Sequence, residues 1–265
     1  MAVDPQVQSR LEAAIVAARA AGALTLEHFR KTSLAVERKG DGSPVTVADR
    51  AAETLLRQRI AADFPADGIL GEEFGEQPGS SDFRWILDPI DGTKSFITGA
   101  PLYTTLVAIM RGDEPVAGVI YAPATAEIVY AARGGGAWQA VGDAAPAAAR
   151  VSPVSNLADA TFLTTDVKAY GKIGRRDVYQ RLEAATRLAR TWGDAYGYLL
   201  VACGRAEVMI DPEMNLWDAA ALQPIIEEAG GRFFDWQGQP TVHTGNSVAT
   251  NGAIAEEVIA LIAAD

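Results

Sequence analysis

The stretch Arg84–Phe96, which reads RWILDPIDGTKSF, carries the strongest signal for fold and chemistry in this sequence. Its apolar start, Trp85–Leu87, predicts a buried strand. Two acids, Asp88 and Asp91, follow at a sharp break, where a proline fixes one backbone angle and Gly92 permits a conformation that other residues avoid. A helix could open directly after the glycine. This combination predicts a site where carboxylates hold a hard cation and free backbone N–H groups meet an anion.

The composition is that of an ordinary soluble globular protein. Of its 265 residues, 49% are hydrophobic and 22% are charged, which suits one large domain or two closely packed lobes. The formal net charge of −11 argues against binding to nucleic acids or acidic membranes, whose phosphates require a basic surface. The charge is compatible with a small phosphorylated substrate, because bound divalent cations invert the local field.

Cysteine usage and the apolar runs of the chain bear on its cellular compartment. The single cysteine, Cys203, rules out an internal disulfide and fits a reducing environment. The segment Met1–Arg10 lacks the basic start and apolar run of a signal peptide, and no apolar run approaches membrane-spanning length. These features predict a cytoplasmic protein.

The first half of the chain has the pattern of two helices against an antiparallel sheet. Apolar spacing predicts a helix at Val7–Phe29 and a second helix from a Thr46 cap to about Ala62, with Asp49 completing a capping-box pattern. Strands are expected at Ile69–Gly71 and in two hairpins spanning 103–121 and 128–140, with a flexible polar loop at Gly75–Asp82.

In the second half, strands and helices alternate, which predicts an α/β arrangement. The segment Val141–Pro153, made mostly of small residues, is the nearest thing to a seam. We therefore predict one catalytic unit, residues 1–265, with an α+β lobe at about 1–150 and an α/β lobe at about 151–265. The expected helices are Asp177–Ala189, Asp194–Ala202, Leu216–Ala229 with a bend at Pro224, and Ala255–Ala264; the expected strands are Thr161–Thr164, Ala206–Ile210, Arg232–Asp235 and Ser247–Thr250.

Four carboxylates stand where predicted strands or helices begin or end: Glu72, Asp88, Asp91 and Asp218. Any one of them is more often a surface residue or a cap, and Asp218 would favour the positive end of its own helix. Asp88 and Asp91 differ, because like charges on one rigid turn repel unless a cation neutralises them. Two cations would need about this many carboxylates, and an all-oxygen ligand set without His or Cys favours Mg²⁺.

Three separated motifs resemble those of the inositol monophosphatase superfamily, in the same order and over nearly the whole chain. They are Asp88–Thr93 (DPIDGT), the upstream Gly71–Glu73 (GEE) and the downstream Trp217–Ala220 (WDAA). The resemblance implies a mixed α and β fold, built as a layered αβαβα sandwich. It also implies a metal-dependent phosphomonoesterase that forms homodimers.

The resemblance further implies a role for each motif residue. One Mg²⁺ would be held by Glu72, Asp88 and the backbone carbonyl of Ile90, a second by Asp88, Asp91 and Asp218, and a third, weaker ion would lie near Glu72. Gly92 and Thr93 would bind phosphate through backbone N–H groups, and Asp91 would also contact the substrate. Thr93, hydrogen-bonded to Asp49, would position and activate the attacking water, with Glu72 as a third catalytic residue. The residues alone barely separate Glu72 from Glu73, and the family pattern favours Glu72.

Within the superfamily, Lys94-Ser95-Phe96 is similar to the histidinol-phosphate phosphatases, whereas the inositol enzymes usually have Thr-Asn-Phe there. L-histidinol carries an ammonium and an imidazole, so its pocket needs carboxylates away from the metals; the candidates are Asp194, Asp211 and Glu213. Asp194 has the alternative of a helix cap, and Glu213 that of a solvated loop acid. Asp211 is the best of the three, because it falls at a strand end where the inositol enzymes have a substrate-binding Glu.

The resemblance thus implies Mg²⁺-dependent hydrolysis of L-histidinol phosphate, a reaction of histidine biosynthesis. Two alternatives stay open at this point. One is an inositol-1-monophosphatase or a broad phosphatase of small esters. The other is a binding or regulatory protein that keeps the fold without turnover.

Overall fold

Two large β-sheets alternate with three layers of helices in the computed structural model, which describes residues 3–32, 34–40 and 42–264. The ends of the expected unit, residues 1, 2 and 265, lie outside the described residues. The helices are α1 (Pro5–Leu26), α2 (Val47–Asp63), α3 (Thr93–Thr98), α4 (Val167–Lys172), α5 (Arg176–Ala185), α6 (Asp194–Ala202), α7 (Leu216–Ala219), α8 (Leu222–Glu228) and α9 (Ala255–Ala263). The strands are β1 (Val36–Arg38), β2 (Pro44–Thr46), β3 (Gly68–Gly71), β4 (Gly75–Gln77), β5 (Phe83–Asp91), β6 (Thr104–Arg111), β7 (Glu114–Ala122), β8 (Glu127–Ala132), β9 (Ala137–Val141), β10 (Ala147–Ala148), β11 (Thr161–Thr164), β12 (Leu188–Arg190), β13 (Val208–Asp211), β14 (Arg232–Phe234) and β15 (Ser247–Thr250).

The larger sheet has eight strands in the order β10-β9-β8-β7-β6-β5-β3-β4. Its neighbouring strands are antiparallel except for β3 and β5, which run parallel. Helices α1 and α2 cover one face, where Leu11 and Leu56 share a buried cluster with Trp85 and Val107. The Thr46–Asp49 capping box predicted for the start of α2 is present. The antiparallel sheet expected for the first half of the chain is therefore confirmed.

Helices α6, α7 and α8 fill the space between the two sheets. Their side chains Leu199 and Ile225 lie in one buried cluster with Leu106 and Ile120 of the larger sheet and Met209 of the smaller sheet. A single apolar layer thus joins the halves of the chain.

The smaller sheet has five strands in the order β12-β11-β13-β15-β14, of which β12, β11 and β13 are parallel. Helices α4, α5 and α9 cover its far face, where Val178 and Val258 share a buried cluster with Phe162 and Ile210. The order of layers is helix, sheet, helix, sheet, helix, which confirms the αβαβα sandwich. Among the described residues, no helix is both long enough and apolar enough to cross a membrane.

Two local predictions are wrong, each because of a strand pairing, and one predicted helix is divided in two. The helix expected at Asp177–Ala189 ends at Ala185, because Leu188–Arg190 pairs with β11 as the edge strand β12. The helix expected at Leu216–Ala229 with a bend at Pro224 is divided into α7 and α8 at Ala220–Ala221, because Pro224 has no N–H to donate to the carbonyl of Ala220. The polar loop expected at Gly75–Asp82 begins with β4, which pairs with β3. The division into lobes at about residue 150 stays a prediction.

Gly118 in β7 tests the packing of the middle helices on the larger sheet. A methyl group at this position would lie 2.1 Å from the backbone carbonyl oxygen of Ala221. A backbone atom cannot move away by a change of rotamer, as a side-chain atom can. We expect Gly118→Ala to lower the free energy of unfolding by about 1–3 kcal/mol in urea denaturation.

Gly171→Ala is the control, because it lies in α4 and its new methyl group would meet nothing within 4 Å. This variant should leave the stability unchanged or raise it slightly, as alanine favours helices. A loss at Gly118 no larger than at Gly171 would contradict the close approach of β7 to the α7–α8 junction.

Candidate active site

Strand β5 carries Asp88 and Asp91 to the centre of the site. Residues three apart on a regular strand point to opposite faces. Against β6, however, Asp88 pairs with Leu106 and Asp91 with Thr104, so β5 contains one extra residue between them. This bulge allows both carboxylates to reach the same point. The sequence predicted the acids at a strand end, whereas the strand continues through the motif to Asp91.

Asp218, in the first turn of α7, completes a cluster with the two acids of β5. One carboxylate oxygen from each of Asp88, Asp91 and Asp218 lies within 4.8 Å of the others. Burial raises the pKa of Asp88 and Asp91 well above the ordinary range, and neighbouring carboxylates raise it further. Burial also raises the pKa of Asp218 to about 6. The three acids are crowded, two of them are buried, and all offer oxygen, so the set fits a hard divalent cation.

Hydrogen bonds from both halves of the chain fix the cluster. Asp91 Oδ2 accepts the Thr104 hydroxyl at 3.0 Å and the Ala195 N–H, at the start of α6, at 2.7 Å. Asp88 Oδ1 accepts the Ile90 N–H at 3.0 Å. Asp218 Oδ2 accepts the backbone N–H of Asn215, the N-cap residue of α7, at a distance of 2.7 Å. Asp218 is therefore a helix-capping residue and a member of the cluster at once.

Glu72 and Glu73, which the sequence barely separates, differ in position. Lys39 Nζ donates to Oε1 of both, at 2.7 Å for Glu72 and 2.6 Å for Glu73. Glu72 lines the cleft and interacts with Asp88, whereas Glu73 is not among the lining residues and its side chain is only 4% exposed. Burial raises the pKa of Glu73 to about 7. The geometry favours Glu72 as the acid available to a cation, and its role as a ligand stays a prediction.

The hydrogen bond expected between Thr93 and Asp49 is not formed. The Thr93 hydroxyl donates to the Ile90 carbonyl oxygen at 3.1 Å. Asp49 Oδ2 is taken by the capping box, where it accepts the Thr46 N–H at 2.8 Å and the Thr46 hydroxyl at 2.6 Å. The other oxygen, Asp49 Oδ1, is buried and has no hydrogen-bond partner among the described residues.

Gly92 lies between the acids and α3, with a left-handed φ of 79°. A Cβ at this position would also lie 2.8 Å from Asp194 Oδ2. Both facts require glycine. Gly92 and Thr93 line the cleft beside the acids, and the first N–H groups of a helix have no partners within it.

Two further acids, Asp194 and Asp211, line the same cleft, whose volume is about 190 Å³. Asp194 is the first residue of α6 and has a left-handed φ of 50°, but its side chain does not cap that helix. Burial raises its pKa to about 6, against the charge of Lys94 and a hydrogen bond from Ser95. Lys94 and Ser95, the pair by which this sequence resembles the histidinol-phosphate phosphatases, therefore both interact with Asp194.

Asp211, at the end of β13, is held from two sides. Its oxygens accept the Thr165 N–H and the Tyr198 hydroxyl, each at 3.2 Å. Burial raises the pKa of Asp211 to about 7. Glu213, in contrast, is exposed at the rim, where it lies 3.7 Å from Lys172.

The sequence did not single out Thr165, whose hydroxyl accepts the Asp194 N–H at 2.7 Å while its own N–H binds Asp211. A signal for it did exist. Thr165 follows the parallel strand β11, so it reaches the same sheet edge as Asp211 at the end of β13.

The inositol monophosphatase family model matches residues 6–264. The chain is 43% identical over 253 residues to a histidinol-phosphatase of Chlorobaculum parvum, with 95% of this chain and 96% of that protein covered. It is 39% identical over 246 residues to a histidinol-phosphatase of Mycobacterium tuberculosis, covering 93% and 95%. An IMPase structure from Thermotoga maritima matches with a TM-score of 0.86 and 31% identity, covering 96% of each chain.

The crowded acids predict how the stability of the protein without divalent cations depends on pH. The folded-state pKa values of Asp88, Asp91 and Asp218 lie above the ordinary value of 3.8, so the fold favours their protonated forms. Their ionisation therefore removes stability as the pH rises. In EDTA, the wild-type protein should unfold at a lower temperature at about pH 8 than at about pH 5.

Asp91→Asn is the matched variant, because an amide oxygen can still accept the bonds from Thr104 and Ala195 while one charge is removed. It should lose less stability than the wild type over the same pH interval in EDTA. Identical pH dependences of the two unfolding temperatures would contradict the mutual repulsion of these carboxylates.

Proposed function

We propose that this chain, which belongs to the inositol monophosphatase family, hydrolyses L-histidinol phosphate to L-histidinol and inorganic phosphate. As a member of that family it is a phosphoric monoester hydrolase acting on small phosphorylated substrates. The main support for this choice of substrate is that Asp194 and Asp211 line the same cleft as the acidic cluster. An ammonium and an imidazole gain more from two such carboxylates than a neutral polyol does, because only the former carry or accept positive charge. The identities with proteins named histidinol-phosphatase support the same choice.

We propose that the cofactor is Mg²⁺, bound as two or three ions. The residues that would hold it are Glu72, Asp88, the Ile90 carbonyl, Asp91 and Asp218, all of which line the cleft and offer oxygen. When bound, Mg²⁺ would lower the pKa of water and stabilise negative charge on the phosphoryl and leaving oxygens. No nucleophile from the protein is required.

The residues beside the cluster then have distinct tasks. Backbone N–H groups of Gly92 and Thr93 would bind the phosphate and hold it in line for attack. In the loaded site, the Thr93 hydroxyl would turn from the Ile90 carbonyl to Asp49 Oδ1, the buried oxygen without a partner among the described residues. In that position it would orient the attacking water, together with Glu72.

The substrate's organic group would lie toward the second half of the chain. Asp211, fixed by Thr165 and Tyr198, would bind the ammonium, and Asp194 would lie near the imidazole. A bound cation favours the ionised form of each acid, which opposes the effect of burial on their pKa values. Asp91 would contact the substrate from the side of the phosphate.

We further propose that the protein acts in the cytoplasm, in histidine biosynthesis, as a homodimer. The single cysteine supports a reducing compartment. The resemblance to the inositol monophosphatase superfamily supports the dimer. Light scattering of the purified protein on a size-exclusion column measures the oligomeric state directly.

Substrate choice is tested by kcat/KM for histidinol phosphate and for inositol 1-phosphate with saturating Mg²⁺. The wild type should strongly prefer the histidinol ester. Asp211→Asn should lower kcat/KM for that ester by about 10-fold to 100-fold, because a charged hydrogen bond contributes about 1.5–3 kcal/mol. Its effect on inositol 1-phosphate should be smaller.

Glu213→Gln is the control, since this acid is exposed at the rim and should change neither ester much. A wild-type preference for inositol 1-phosphate would favour an inositol-type or broad phosphatase. Release of no phosphate from either ester would favour a binding protein.

Asp91→Asn tests the metal assignment. It should lower kcat by about a thousandfold, equivalent to about 4 kcal/mol of transition-state stabilisation, because the variant loses a charged ligand. Circular dichroism should show an unchanged fold, since the amide oxygen keeps the hydrogen bonds of the native carboxylate.

The matched control is Asp235→Asn, a buried aspartate outside the cleft whose Oδ1 accepts the N–H groups of Gln237 and Gln239. This variant should keep its turnover number. Near-native turnover in Asp91→Asn would refute the metal role of Asp91.

A further inference from the structure

Glu53 lies beneath the turn that carries Glu72, and no part of the mechanism above uses it. It is 0% exposed and sits in α2, one helical turn after Asp49. Its Oε2 accepts the Glu73 N–H at 2.7 Å, and its Oε1 accepts the Phe74 N–H at 3.2 Å. A buried carboxylate thus binds the two backbone N–H groups that directly follow Glu72.

Arg57, four residues further along α2, also holds the turn by hydrogen bonds. Its Nε donates to Glu53 Oε1 at 2.8 Å, which compensates the buried charge. Its guanidinium also donates to the Gly75 carbonyl oxygen. The turn 72–75 is therefore held by a carboxylate at its N–H groups and by a guanidinium at a carbonyl.

Gly71 shows that the fold reserves space for the Glu53 carboxylate. A Cβ at position 71 would lie 2.1 Å from Glu53 Oε1 and 2.4 Å from its carboxylate carbon. Gly71 does not have a left-handed φ, so conformation does not require a glycine there. The glycine before Glu72 is needed because any side chain would displace the Glu53 carboxylate.

Both peptide groups that flank Glu72 are tethered. The Glu72 N–H donates to the Leu87 carbonyl oxygen of β5 at 3.1 Å. The next N–H, which belongs to the peptide joining Glu72 to Glu73, donates to Glu53. The position and direction of the Glu72 Cα–Cβ bond are therefore set by β5 on one side and by Glu53 on the other.

We propose that Glu53 is a positioning residue that aims the Glu72 carboxylate at the cation site. This inference rests on the proposed function, in which Glu72 is a cation ligand. Groups behind a ligand set its orientation, and their loss weakens metal binding without removing any donor. Glu53 acts through backbone N–H groups, so its loss would first weaken the affinity for the cation, and a saturating cation would draw Glu72 back to its place for the chemical step.

The test is a titration of the EDTA-stripped full chain with Mn²⁺ alone, with free Mn²⁺ followed by electron paramagnetic resonance. Glu53→Gln keeps the size of the side chain and one acceptor oxygen. It should raise the Kd for Mn²⁺ by about 10-fold to 100-fold. In activity assays it should raise the Mg²⁺ concentration for half-maximal rate, while kcat at saturating Mg²⁺ is largely restored.

Glu207→Gln is the matched control, because this glutamate is also buried and accepts a backbone N–H, that of Thr161, at 2.6 Å in the smaller sheet. It should lower the unfolding temperature to a similar extent and leave the Kd for Mn²⁺ unchanged. Where Glu53→Gln does not fold, Gly71→Ala displaces the same carboxylate from the opposite side and should raise the Kd likewise.

If Glu53→Gln or Gly71→Ala binds Mn²⁺ with the Kd of the wild type, the inference is overturned. The proposed function would then still stand. An equal weakening by Glu207→Gln also overturns it, because the effect would then reflect general stability. Failure of the wild type to bind Mn²⁺ overturns both this inference and the proposed metal site.

Discussion

Repulsion among three crowded carboxylates, two of them buried and one half-buried, is the constraint on which the rest of this structure depends. Oxygens of Asp88, Asp91 and Asp218 lie within 4.8 Å of one another, where like charges are strongly unfavourable without a cation. The bulge in β5 brings two of these acids together, and α7 brings the third from the second half of the chain. The Ala195 N–H of α6 then holds Asp91. The two halves of the sandwich thus meet at a point of high negative charge, where a bound divalent cation would offset the repulsion.

The turn after β5 combines a general function with a specific one. Its acids, Gly92 and Thr93 suit the hydrolysis of any phosphate ester. The proposed specificity begins at Lys94 and Ser95, which interact with Asp194, the left-handed first residue of α6. The residues that separate the proposed substrate from inositol phosphate are therefore contributed by both halves of the chain. This explains why the short motif alone indicated the chemistry but not the substrate.

The sequence predicted those features that depend on local pattern or on a motif. The strand Thr161–Thr164 and the helix Asp194–Ala202 have the bounds that the sequence predicted. Features that depend on distant partners were missed. The edge strand at Leu188–Arg190 exists because β11 offers it hydrogen bonds, and Thr165 reaches the site only because β11 and β13 are parallel. In the sequence, Glu53 looks like any other residue of a predicted helix. Only the fold brings its carboxylate to the backbone N–H that follows Glu72.

The most direct test of the account is a crystal structure of the protein grown with Mn²⁺ and inorganic phosphate, with data collected at the manganese edge. Anomalous peaks should lie between Asp88, Asp91 and Asp218 and beside Glu72, with phosphate density at the backbone N–H groups of Gly92 and Thr93. A well-ordered cleft with no anomalous peak near Asp88 would contradict the account, because the buried carboxylates would then be tolerated without a cation.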